Sequence, residues 1–406
     1  MKKILTLLVM VTMILGTVST ALAEDEVNLT FAIWDTNQAP GMQAIIDAYT
    51  AKNPNVKIDL NPIPWSEYWT KLEASAMGGV MPDIFWMHAA HVVKYITAGK
   101  MLDLTPLNYD YSVYPEGVTN LYMYEGAHYA IPKDYDTIAL AYNKEIFDAA
   151  GVAYPDDTWD WAKLREVAIQ LTDAEKGIYG FLAPNDTQQG YWSLIYQNGG
   201  YIVKDGVSGF NLPETQEAIQ FWVDLMKVDK VSPSIESFVD TNAHQQFQAG
   251  KAAMTFVGSW MMSSYTNNEI IKDKFDLAVL PKNKVRATIY NGISYAGAYN
   301  TKYPDAVLDF LAFAGSEEGN ILQAKAKAAI PAYRGTEHYF TDNFPDYNIS
   351  CFVEMIDYGV QSPFTHNKSY WETREPEMMT YIYSGEKTVE EACLWMHDII
   401  TEIEGN

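Results

Sequence analysis

Residues 27–87 read VNLTFAIWDTNQAPGMQAIIDAYTAKNPNVKIDLNPIPWSEYWTKLEASAMGGVMPDIFWM. Val27, Leu29, Phe31 and Ile33 alternate with Asn28, Thr30 and Ala32, the period-two pattern of a strand. The turn at Gln38–Gly41 opens a helical stretch with Ile45, Ile46 and Tyr49 on one face, and Asn53-Pro54 stops it. Val56, Ile58 and Leu60 alternate again. Ser66 is placed to cap a helix carrying Trp69, Leu72 and Ala76, and Gly78-Gly79 ends that helix before a strand at Ile84–Met87. The order β-α-β-α-β is that of a mostly parallel sheet with helices on its faces.

Outward from this stretch the same habit continues. Thr158 precedes a helix with Trp161, Leu164, Ala168 and Leu171 in phase, and 216–226 is another. Strands are expected at 252–257 and 275–280, and helices at 305–314, 317–327 and 389–402, the last opened by a Thr388/Glu391 capping box. No fixed-period repeat, linker of biased composition or glycine-rich phosphate loop interrupts them. At 406 residues the chain is too long for one core, so two domains or lobes joined by chain crossings are expected. An apolar share of 48% with 20% charged residues excludes wholesale disorder. Lys+Arg total 28 against 52 Asp+Glu, a net charge of -24 that would repel polyanions, which excludes nucleic acid and anionic membrane surfaces as partners.

Met1, Lys2 and Lys3, the apolar run Ile4–Val18 and the small-x-small site Ala21-Leu22-Ala23 read as a secretory signal peptide over 1–23. The run is shorter than the roughly 20 residues a spanning helix needs, and no cysteine stands at the cleavage site for a lipid anchor. The exported protein is expected in a periplasm or at a cell surface. Cys351 and Cys393 are the only cysteines, and either a disulfide or two buried thiols fits them. His88 and His91, at helical spacing, lack the companions of a metal site and are read as packing or solvent residues; no metal and no cofactor is expected.

Seven segments, in order, carry a resemblance: Pro82-Asp83-Ile84-Phe85-Trp86, Ile131-Pro132-Lys133-Asp134-Tyr135-Asp136, Tyr142–Phe147 with Gly151, Asn198-Gly199-Gly200, Phe247-x-x-Gly250-Lys251-x-Ala253-Met254, Gly258-Ser259-Trp260 and Thr388–Ala392. Together they resemble the sugar-binding proteins of bacterial ABC importers, extracellular solute-binding protein family 1, to which maltose-binding protein is related. The resemblance implies an α/β, two-lobed periplasmic-binding-protein-like fold of type II. Each lobe would be a mostly parallel sheet flanked by helices, with 24–136 plus 290–331 in the first and 137–289 plus 332–406 in the second. It also implies a monomer that takes a carbohydrate ligand in the inter-lobe cleft and docks on the permease subunits of an ABC transporter. It assigns no catalytic residue.

A pyranose offers hydroxyls on its rim and C–H groups on its face, so its site needs aromatic planes and planar polar side chains; the chain holds 11 Trp, 28 Tyr and 16 Phe. Trp34 ends the first strand, and Asp35, Asn37 and Gln38 follow at the carboxyl end, where open α/β sheets bind ligands. Core packing is the other reading of Trp34. By the resemblance, Trp86 matches a sugar contact, Trp260 and Trp371 match aromatic platforms, and Tyr191 and Trp192 lie near another contact, where Gln188 and Gln189 are placed to supply hydrogen bonds. Packing of its own helix is the competing reading for Trp371. Asp83 is read as structural and Trp69 as core, while Trp65 stays open as a contact. Asp136 aligns with a family carboxylate that, ionised, accepts hydroxyl hydrogen bonds. Arg334 suits two-point contacts to vicinal hydroxyls or is simply an exposed arginine. Where maltose-binding protein has an Asp-Arg pair this chain has Ala89-Ala90, and Ala39 replaces a lysine, so maltose specificity is not carried over.

Two further readings stand beside the importer. The acidic residues suit peptides or polyamines, and aromatic platforms with carboxylates also serve secreted glycoside hydrolases, whose two carboxyls stand about 5 to 9.5 Å apart.

Overall fold

The computed structural model describes residues 26–365 and 367–405, so the expected leader at 1–23 lies outside the described residues. Val27–Ile33 (β1) is followed by the helix Ala39–Lys52 (α1), the strand Val56–Pro62 (β2), the helix Trp65–Gly78 (α2), the strand Ile84–His88 (β3) and the helix Ala89–Thr97 (α3). β1 runs parallel to β2 and β3. α1 buries Met42, Ile45, Ile46 and Tyr49, spaced to make one stripe, against one face of the sheet. α2 buries Tyr68, Leu72 and Ala76 against the other. Its cap position is Pro64 rather than Ser66, because Pro64 and the exposed Trp65 already turn the chain into the helix; Gly79, at φ 68, ends it.

After Ala130–Pro132 (β4) the chain leaves this sheet and enters a second one as Ile138–Asn143 (β5), flanked by Met254–Gly258 (β6) and Phe275–Ala278 (β7). It then returns as Ile293–Gly297 (β8), which lies between β3 and β4 and completes the sheet order β2-β1-β3-β8-β4. The two-lobed α/β architecture is therefore present, but the sheets are less parallel than expected. β8 is antiparallel to both its neighbours, and β5 is antiparallel to β6 and β7. The reason is the crossing itself: β5 runs outward from the hinge, so strands that carry chain back to the cleft must oppose it. Parallel pairing in the second lobe lies outside this three-stranded sheet's own ladders: Thr288–Tyr290 runs parallel to Gly359–Gln361, and single parallel bridges join Tyr179 with Ala252, Leu182 with Thr255 and Asp160 with Lys282.

Three crossing segments lie side by side between the sheets. Lys133 N–H donates to Ile293 O at 2.8 Å, Asp136 N–H to Asn291 O at 3.1 Å, and Ala332 N–H to Lys133 O at 3.1 Å. Asp134–Tyr135 also pairs with Ile330–Pro331. The cores divide as the sheets do. Phe31, Tyr49, Tyr295 and Phe310 fill one face of the first sheet, and Tyr68, Phe85, Met87 and Val92 the other. Trp192, Trp222, Phe256 and Met396 belong to a separate core around β5. Each such side chain contributes roughly 1.5–3 kcal/mol by leaving water.

The later helices follow their sequence signals with small shifts. Trp161–Leu171 is capped by Asp160, whose carboxylate accepts Lys163 N–H at 2.8 Å, and not from Thr158. Val389–Glu404 opens with the Thr388/Glu391 capping box as expected. Cys351 and Cys393 are both buried free thiols, so the disulfide alternative is not realised. Asp83 is structural as read: its carboxylate accepts from Thr30 N–H, Thr30 Oγ1 and Thr301 Oγ1.

Candidate functional site

The carboxyl ends of β1 and β3 and the first turn of α2 bring six rings together on the first lobe. Trp34 is the hub: its ring centroid lies 5.2 Å from Trp65, 5.0 Å from Tyr68, 5.7 Å from Trp69 and 5.1 Å from Trp86, nearly all edge to face. His91 stacks on Trp69 at 3.7 Å. Tyr68 locks the group by donating to Trp86 O at 2.7 Å. Trp65, 49% exposed, and the half-buried Trp34 and Trp69 form the accessible ridge, while Trp86 is fully buried beneath. The indole N–H groups of Trp69 and Trp86 have no acceptor among the described residues.

Below the ridge a buried polar chain leads to the hinge. Asp35 accepts from Asn37 N–H at 2.8 Å and from Gln38 Nε2 at 3.1 Å. Gln38 Oε1 accepts from Lys133 Nζ at 2.7 Å, and Lys133, fully buried, is paired with Asp134 and sits 4.6 Å over the Trp86 ring. Asp35 and Gln38 therefore hold the loop and the hinge together, and Asn37 is the exposed member of the loop.

Asp136 stands at the hinge between the lobes. Its Oδ1 accepts from Gln188 Nε2 at 2.6 Å and from Asn291 N–H at 3.1 Å. Burial, then the neighbouring Asp134, pushes its carboxyl up to about 8 against the pull of those two bonds. That shift favours the protonated carboxyl at neutral pH over the ionised acceptor expected from sequence. With Oδ1 occupied, Oδ2 is the oxygen left to carry the proton. His88 sits nearby, its Nδ1 accepting from Ala90 N–H at 3.2 Å and its Nε2 3.0 Å from Asn291 Nδ2.

On the second lobe, β6 runs toward the hinge and delivers Ser259-Trp260 at its end. The half-buried Trp260 ring lies on Gly258, where an added Cβ would stand 2.1 Å from it. The turn Thr187–Tyr191 is held by Asp186, which accepts Gln189 N–H at 2.8 Å, and by Gln189 Oε1, which accepts Gly258 N–H at 2.9 Å. Gln189 is thus a brace under Trp260. Trp192 is buried, with Nε1 donating to Glu375 at 2.9 Å and Lys368 Nζ 5.1 Å over its ring. Lys368, itself buried, donates to Ser362 Oγ at 2.8 Å and reaches electrostatically to His88 and His91 on the first lobe.

Of the expected site residues, Gln38, Trp86 and Trp192 are buried, and two more sit otherwise. Trp371 is fully buried in the second core, its Nε1 donating to Thr365 Oγ1 at 3.1 Å and Glu404 at 2.9 Å, so it presents no open platform. Arg334 is exposed and turns its Nε to Tyr114 O at 3.0 Å, which ties the third crossing to the first lobe. The structure brings together Trp34, Trp65 and Trp86 in one wall, and Asp136, Gln189 and Trp260 around the hinge side of the other. Sequence reasoning gave Trp69 to the core and passed over Lys368 and Glu375. The spacing Lys368, Trp371, Glu372, Glu375 is the signal that places them near one another. No group of metal-binding side chains occurs among the described residues.

The profile of the bacterial extracellular solute-binding protein family matches residues 34–321. A maltotriose-binding protein of Pyrococcus abyssi is 28% identical over 252 residues, spanning 60% of this chain and 51% of that relative. Among solved structures, the ABC substrate-binding protein Lmo0181 of Listeria monocytogenes, in complex with cycloalternan, superposes with a TM-score of 0.88 at 23% identity, covering 94% of this chain and 100% of that one. The GacH receptor of Streptomyces glaucescens gives a TM-score of 0.85 at 22% identity, with 94% and 100% covered.

Proposed function

The chain belongs to the bacterial extracellular solute-binding protein family, and from that premise we propose that it is the solute-binding component of a carbohydrate ABC importer, capturing an oligosaccharide between its lobes and presenting it to a membrane permease. The observation that carries this reading is the ridge of Trp34, Trp65 and Trp69 on one lobe and Trp260 on the other, with the polar groups of Asp136, Gln188 and Asn291 at the hinge between them. Flat rings stack on the C–H face of a pyranose, and Asp136 Oδ2 and the amides meet its hydroxyls. A maltotriose-binding relative supports a chain of sugar units over a single one.

Contacts from both walls to one ligand exist only when the cleft is shut, so ligand shifts the open and closed populations by its differential affinity. Closure is then the signal a permease reads, and no chemistry on the solute is needed. We place the monomeric protein outside the cytoplasmic membrane, in keeping with the family's extracellular description; no helix among the described residues is long and apolar enough to cross a bilayer.

The test is a thermal-shift screen of the chain from Glu24 against oligosaccharides, peptides and polyamines, with calorimetry of the hits and analysis of the sugar afterwards. A ligand that binds the folded state alone raises the apparent melting temperature by mass action. An oligosaccharide recovered intact is the expected hit. Stabilisation by peptides or polyamines alone overturns the sugar assignment, and shortened glycans overturn the binding-only assignment.

A further inference from the structure

The turn that braces Trp260 has a second side. Behind it, between the turn and the helices Ile235–Asp240 and Ala243–Gln248, lies a cavity of about 320 Å³. Its walls are Phe238, Phe256, Ile235 and Pro184, and its polar groups come from Asn185, Asp186, Gln189, Asn242 and His244. Its volume is at the lower end for small-molecule sites, which start at about 300 Å³. No lysine or arginine lines it. His244 is held neutral by burial, which pushes it down to about 4, and its Nδ1 lies 2.8 Å from Tyr265 Oη. An anionic ligand has no counter-charge there. The mixture of two phenyl rings with two carboxamide-bearing asparagines, a glutamine and one carboxyl is that of a site for a neutral polyhydroxy ring.

The cavity adjoins the turn that braces Trp260. Gln188 reaches from this turn to Asp136 at the hinge, and Gln189, which lines the cavity, holds Gly258 under Trp260. The turn is irregular, with Gln189 at ψ 17 and Gly190 at φ -132, ψ -124, and does not form a regular helix. Such interrupted turns recur at functional sites.

Resting on the oligosaccharide reading above, we propose that this cavity is the far end of the binding cleft and takes one terminal, uncharged pyranose unit of the bound chain, past Trp260. The protein therefore measures ligand length: an oligomer long enough to place a ring in the cavity binds more tightly than one that stops at Trp260.

The experiment uses the chain from Glu24 and four ladders of two to six units, the α-1,4-glucan, β-1,4-glucan, β-1,4-xylan and β-1,4-galactan oligomers, titrated calorimetrically. Two variants obstruct the cavity. Ala243→Leu grows a side chain from its wall, and Val239→Trp, from a position 82% exposed at its rim, covers the mouth with little risk to folding. Ile169→Trp, on an exposed site of another helix, is the control. In the native chain, affinity is expected to rise about tenfold at one step of a bound ladder. Both cavity variants are expected to lose that step while binding shorter members as before, and the control to keep it. Binding with no length step, or a step that survives Val239→Trp, overturns the cavity assignment and leaves the sugar reading standing. Failure of every ladder to bind the native chain overturns both.

Discussion

Trp65 and Trp371 are the same residue type with opposite fates. Trp65 stands half exposed on the ridge against Trp34, Trp69 and His88, whereas Trp371 is enclosed by the second core with both a hydroxyl and a carboxylate on its indole nitrogen. Trp65→Ala is therefore expected to weaken oligosaccharide binding while leaving the melting temperature of the free protein nearly unchanged, as titration and calorimetric scanning will show. Trp371→Ala is expected to cost about 3–5 kcal/mol of stability, read from the midpoint of urea unfolding. Nothing in the sequence separates these two. A tryptophan at the start of a helix has the same local pattern whether its face is open or covered, and what covers Trp371 is Thr365 and the distant Glu404. Trp34 is easier to place, because a tryptophan ending an apolar alternation lies at the end of the sheet where the cleft opens, although Trp86, which has the same pattern, is buried beneath it. Lys368 is the hardest case, since a lysine between polar residues carries no mark of the burial that Ser362 and Trp192 give it.

At the scale of elements, the period-two and helical patterns of 27–87 yield the first five elements with boundaries near those observed, because each strand has one covered stripe and each helix one buried face. Strand direction is not in that pattern. Whether a strand runs with or against its neighbour depends on where the chain comes from: β6 and β7 run back toward the hinge that β5 leaves, and β8 returns across it. β6 ends at Gly258, and there a glycine is required for space rather than for dihedral angle, since its φ is -85. Gly258→Ala puts a methyl group into the Trp260 ring, so that ring must leave its seat. The variant is expected to fold, and to lose sugar affinity to about the extent that Trp260→Ala does, by the same titration. At the chain's end the capping box is a smaller matter. Thr388→Ala removes the acceptor for Glu391 N–H at 3.2 Å and should lower stability by about 1 kcal/mol, without effect on binding.

For the whole molecule the buried titratable groups set a pH response. Burial raises Asp136 and Glu375 to about 8 each, Glu375 against the bonds it accepts from Tyr191 and Trp192. A carboxyl raised on folding contributes stability that is full below its unfolded value near 4 and is lost as pH climbs through about 8. Burial lowers His91 and His244 to about 4, and these work the other way: their contribution is present above 6.5 and lost as pH falls toward 4. Above about pH 7.5 the histidines have finished titrating in the unfolded chain too, so only the carboxyls act. The melting temperature of the unliganded protein should therefore fall from pH 7.5 to 8.5. Glu375→Gln keeps an oxygen for Tyr191 and Trp192 and should flatten that fall, as scanning calorimetry across the range will measure. A slope unchanged by the substitution would falsify the assignment of Glu375 to it.

The return of β8 into the middle of the first sheet has a consequence for how the polypeptide is born. Neither lobe is a contiguous length of chain: the first lacks an interior strand until residue 297 has been made, and the second lacks the helix that ends at Glu404. Domains normally fold as they leave the ribosome, amino-terminal part first. Here the early segment has a gap between β3 and β4 that nothing nearby fills, and sheet pairing over such sequence distances is slow. Synthesis is nearly complete before either core closes. The nascent protein thus reaches its folded form only late in its translation.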